Sequence, residues 1–172
     1  MVSTILVLGF ALAAAITDLW RKKIYNWTTY PGILTGLVVS ALEPQGIGWE
    51  DSLLGIVGCG LMMVFCFLCF PKFGGGDVKL ITMLAAFLGW YHGLECMLWT
   101  FVLAAILGLS ILIWRFGVLH LLGRVLKQIW WLGAYRQWLP LTQEDRQSLE
   151  PELFLAPAAL VAVVIVKFSV FR

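Results

Sequence analysis

Charge is scarce in this sequence. Lysine, arginine, aspartate and glutamate make up 13% of its 172 residues, against 61% hydrophobic ones, and the mean hydropathy is +0.92. A soluble globular domain carries roughly 25% charged residues. The shortage excludes such a domain and points to a chain that crosses a membrane several times. Cysteine is sparse too. Cys59, Cys66, Cys69 and Cys96 are the four, and all lie inside apolar runs. Cys66 and Cys69 form a C-x-x-C, but no second pair or nearby histidine completes a zinc or redox site. They read as packing thiols, and no metal or cofactor is expected. No basic run precedes the first apolar stretch, which therefore reads as a retained span and not a cleaved signal peptide. No internal repeat or low-complexity tract is present, and residues 1–172 read as a single membrane domain.

The apolar runs give an all-α membrane protein with six transmembrane helices. The expected spans are Val2–Thr17, Thr28–Leu42, Ser52–Phe70, Val78–Trp90, Leu94–Ile113 and Leu153–Val170. A turn is expected at Tyr91-His92-Gly93, between spans 4 and 5. Span 4 is short, at about thirteen residues or ~20 Å as a helix. Between spans 5 and 6, His120, Arg124, Lys127 and Gln128 recur on one face of 119–139. That pattern predicts an amphipathic helix lying in the interface, basic side to the headgroups.

Cations fix the orientation. With Arg21, Lys22 and Lys23 inside, Lys72, Lys79, Arg115, Arg124, Lys127, Arg136 and Arg146 also fall inside, and only Lys167 and Arg172 fall outside. In this topology Asp18 leaves span 1 and Asp77 enters span 4 on the same side, at one depth. An acid where the membrane interior meets water is a functional candidate. Two acids brought together can share one proton, because close carboxylates do not both ionise easily. One then deprotonates a water while the other protonates a carbonyl oxygen, as in aspartyl proteases. Helix dipoles favour the shared proton on Asp18, at a helix end, and an ionised Asp77, at a helix start. Arg21, Lys22 and Lys23 oppose this, but screening weakens them, and the expected resting pair is Asp18 protonated and Asp77 ionised. Proton-coupled transport by paired acids is an alternative, as is a non-catalytic assembly protein. Transporters usually place such acids near the midplane and show repeats.

Three stretches carry a family resemblance. Asp18 is followed by Arg21, Lys22, Ile24 and Asn26. Gly74-Gly75-Gly76-Asp77-Val78-Lys79-Leu80 forms a Gly-x-Gly-Asp motif, and Ala156-Pro157-Ala158 opens the last span. Together they resemble the prepilin peptidases, membrane aspartyl proteases of the Gly-x-Gly-Asp type. Tyr25 departs from that pattern, standing where the family usually has proline. The loop from about Trp20 to Trp27 also lacks the two Cys pairs of the long family members, so neither their zinc motif nor their methyltransferase half is apparent. The resemblance is to the short, peptidase-only form. It implies a bacterial inner-membrane endopeptidase that cuts the basic leader from a prepilin or pseudopilin on the cytoplasmic side. Lipid would be its other partner, and nucleic acid would not. Asp18 and Asp77 would be the catalytic acids, with Gly74 and Gly76 bending the backbone to bring Asp77 into place. Lys79 would orient a carboxylate or meet a headgroup, and Asn26 would either brace the Asp18 loop or serve as a turn former.

Overall fold

A computed structural model describes residues 2–43, 47–69, 74–116 and 155–168. The expected interfacial helix at 119–139 lies outside them. All regular structure among the described residues is helical: α1 (Val2–Arg21), α2 (Asn26–Leu42), α3 (Trp49–Cys69), α4 (Gly75–Phe116) and α5 (Leu155–Phe168). Three stretches are long and apolar enough to cross a membrane, Val2–Arg21, Trp49–Cys69 and Gly75–Trp114, and α5 is a shorter apolar helix. The chain is thus a multi-pass membrane protein, helical throughout its described elements. By compactness it divides into Met1–Ala104 with Phe154–Arg172, and Ala105–Leu153. The packing described below belongs to the first unit. Of the second, the described part is the end of α4, where Ile106, Leu107 and Leu109 are exposed.

Nearly every residue from Leu80 to Leu88 is buried, whichever way it points. A helix apolar all round belongs in the middle of a bundle, and this first half of α4 is the central element. The surrounding helices approach it with small residues. α2 buries Thr29, Gly32, Gly36 and Ser40, and α3 buries Ser52, Gly55, Cys59 and Met63. Each set repeats at helical spacing, and small side chains let helices in lipid come close. α1 adds Val7, Ala11, Ala14 and Ala15, and its Phe10 ring lies 6.1 Å from that of Phe87. α5 lies along α1 and buries Ala156, Ala158, Ala159, Ala162 and Val163.

Within α4 the chain turns back at Gly89, where φ is 78° and ψ is −173°. Essentially only glycine adopts that conformation. The reversal can be measured. Residues eight apart on a straight helix are ~12 Å apart, yet a Cβ built on Gly93 would lie 3.1 Å from the Ala85 Cα. α4 is therefore a helical hairpin, and its turn precedes the expected Tyr91-His92-Gly93. Gly93 serves close packing inside the returning helix. Breaking the helix frees the Ala86 carbonyl, which Trp90 N–H would otherwise reach. That N–H instead donates to Asp51 Oδ1 at 3.4 Å. The Ser52 and Ser40 hydroxyls donate to the freed carbonyl at 2.7 and 3.2 Å. Residues on α2 and α3 thus satisfy the backbone that the kink leaves open, as a buried carbonyl requires.

Two helix ends differ from expectation in ways that matter for the acids. α1 runs one turn past Thr17 to Arg21. Lys22 then takes a left-handed φ of 52°, and its N–H donates to the Asp18 carbonyl at 2.8 Å. This is an αL cap, and it places Asp18 inside the last turn of α1. α4 begins at Gly75, so two of the glycines expected in a loop are helical.

Candidate active site

Each acid is delivered by a helix end. Asp77 is the third residue of α4. Its N–H donates to the Gly74 carbonyl at 3.0 Å, and the Gly74 N–H donates back to Asp77 Oδ2 at 3.0 Å. An acid at the third position turning back on the helix start is one half of a capping box. The cap fixes the rotamer of Asp77 and engages one of its oxygens. Asp18, from the last turn of α1, accepts at Oδ2 from the Ala156 N–H at 3.3 Å. Ala156 is the second residue of α5. Both carboxyl-bearing residues are half-buried, and the Asp18 charge acts on Asp77 across the gap between them. The ends of α1, α4 and α5 thus converge on two carboxylates. Two of these ends, those of α1 and α4, are visible in the sequence around the acids. The third presents the positive end of α5 to Asp18, which removes the ground for placing the shared proton there.

The glycines act differently from the bend expected of them. Among the described residues, positive-φ glycines are Gly48 and Gly89, so neither Gly74 nor Gly76 uses a left-handed conformation. Gly74 occupies the cap position of α4. Gly76 is helical, and a Cβ there would lie 3.1 Å from the Ile24 Cβ. Its missing side chain lets the α1–α2 connection rest against the start of α4, which brings the Asp18 and Asp77 segments together.

Lys79 and Asn26 are partners of each other. Lys79 Nζ donates to Asn26 Oδ1 at 2.8 Å and sits over the Tyr30 ring, 5.0 Å from its centroid. The contact ties the first turn of α2 to the start of α4, two residues from Asp77. Tyr30, not among the expected site residues, follows Asn26 by four residues and so shares its helix face. Arg21 donates to the Tyr25 hydroxyl at 3.2 Å, so tyrosine at this position braces the connection by a side-chain bond. A shallow depression of about 230 Å³ opens beside Lys79, lined by Asn26, Trp27, Tyr30 and Pro31. Among the described residues no three His, Cys, Asp or Glu side chains gather as a metal site would need.

The site thus offers two half-buried carboxylates from different helices, each held by a backbone N–H. Residues 5–109 match the family model described as the type IV leader peptidase family. The match takes in Asp18, Asn26, Gly74, Gly76, Asp77 and Lys79 and stops before α5. No curated protein and no solved structure matches the chain.

Proposed function

Because the chain belongs to the type IV leader peptidase family, we propose that it removes the basic leader of prepilins or pseudopilins at the cytoplasmic face of a bacterial inner membrane, with Asp18 and Asp77 as the catalytic pair. The observation that carries this reading is that two half-buried acids, one from the last turn of α1 and one from the first turn of α4, are each held by a backbone N–H, and both lie inside the matched stretch. In the reaction the ionised aspartate takes a proton from water, and the oxygen adds to the scissile carbonyl carbon. The protonated aspartate gives its proton to the carbonyl oxygen, forming a gem-diol. A gem-diol proton then returns through the pair to the departing amide nitrogen, the C–N bond breaks, and a carboxylic acid and an amine remain.

We read the chain as one peptidase domain with six spans, the two arms of α4 counting separately. The bias of cations toward one side supports this orientation. Lys79 and Asn26 brace the approach of α2 to α4.

The reading is tested by incubating the purified protein in liposomes with a prepilin and recording leader release by mass, alongside proton flux across the same vesicles. Leader release without proton flux is expected. Proton flux without cleavage would instead assign the acids to transport.

A further inference from the structure

Asp18 receives its hydrogen bond from outside the matched stretch. The donor is a backbone N–H at the start of α5, a helix that begins 46 residues beyond residue 109. α5 is seated there by its own sequence. Leu155, Ala156, Ala158 and Ala159 are all buried, and α5 lies along α1, so small side chains bring its first turn against the last turn of α1. Pro157, third in α5, has no N–H. The first turn therefore has one donor fewer, and the Ala156 N–H is the one directed at Asp18.

We propose that the start of α5 is a positioning element of the catalytic pair: the Ala156 N–H holds the Asp18 carboxylate in place and favours Asp18 as the ionised member that takes the proton from water. This rests on the leader-peptidase reading above and assigns the roles within it. A hydrogen bond to the charged form of a carboxylate, together with a helix N-terminus, favours that form. Other charged groups stand near the pair, Lys22 and Lys23 just after α1 among them. Asp77, from α4, opposes a second negative charge. Arg21, on α1 itself, is bonded to Tyr25, and Lys79 is bonded to Asn26. α5 contributes apolar side chains and its backbone at this end.

The test replaces Ala156 by its α-hydroxy analogue, which turns the amide into an ester and deletes the N–H while keeping the side chain. Ala156→Pro makes the same deletion by ordinary mutagenesis, since a first-turn proline fits a helix. Ala156→Gly, which keeps the N–H, is the reference. The full-length protein is assayed for prepilin cleavage from pH 5 to 9. Relative to Ala156→Gly, both deletions are expected to lower kcat roughly 10-fold, the scale of one charge-assisted hydrogen bond, with KM little changed. The acid limb of the pH–rate profile should also move to higher pH. An unchanged rate overturns the proposal, and so does a rate loss with an unmoved acid limb, which is what a merely structural role would give. If the wild-type protein releases no leader, the function proposed above falls and this assignment with it. If the wild type cleaves and the deletions behave like Ala156→Gly, only this assignment falls.

Discussion

A side chain at position 76 would crowd Ile24. With the Ile24 Cβ 3.1 Å from the added atom, even alanine at 76 must displace its neighbour, and valine must displace more. Gly76→Val is expected to abolish leader cleavage and Gly76→Ala to weaken it. Ile24→Ala should restore part of the activity of Gly76→Ala, as measured by cleavage rate. If the second substitution gives no recovery, the contact does not set the spacing. A second residue-scale prediction concerns Lys79. Its bond to Asn26 is charge-assisted but Asn26 is exposed, so Lys79→Met should cost only about 1 kcal/mol in stability. Combined with Asn26→Leu, the loss should be less than additive in a double-mutant cycle of thermal unfolding. The two acids, Lys79 and Asn26 were legible in the sequence because charge and amide groups stand out in an apolar chain. Their pairings were not legible, since a partner 53 positions away leaves no local trace. The Ala156 N–H gave no sequence signal, because a backbone donor has no letter of its own.

The helical hairpin of α4 decides whether Asp77 meets Asp18, because its first arm is the buried centre of the first unit. Length and hydropathy fixed two apolar arms but misplaced the turn between them. Tyr91-His92-Gly93 is the more polar stretch and so looked like the break. The actual break sits where an acid and two hydroxyls from other helices can satisfy the opened backbone, and that is a tertiary property. Gly89→Ala should therefore destabilise the protein by roughly 1–3 kcal/mol from backbone strain alone. Added to that is the displacement of the Asp51 carboxylate, whose atoms lie against Gly89. Ser52→Ala alone should cost roughly 0.6 kcal/mol, as for interhelical bonds in a membrane bundle. The Ser40→Ala, Ser52→Ala double variant should lose more than the sum, since the Ala86 carbonyl then has no hydroxyl partner. Thermal unfolding in detergent reads all three, and additive losses for the serines would mean the carbonyl finds another donor.

Across the whole molecule, scarcity of charge announced a membrane protein, and two acids with a glycine-rich motif announced the protease family to which the chain belongs. What composition could not convey is that a third helix end, from a distant part of the chain, completes the surroundings of the acids. The central claim is that Asp18 and Asp77 are the two acids of one hydrolytic reaction. Asn replaces either carboxyl with little change in shape but cannot exchange the shared proton. The most direct measurement is prepilin leader release by wild type, Asp18→Asn, Asp77→Asn and the double variant, each purified from membranes in equal amount. Each single variant should lose activity as completely as the double, because neither acid works without the other. A single variant that keeps near-wild-type leader release would contradict it.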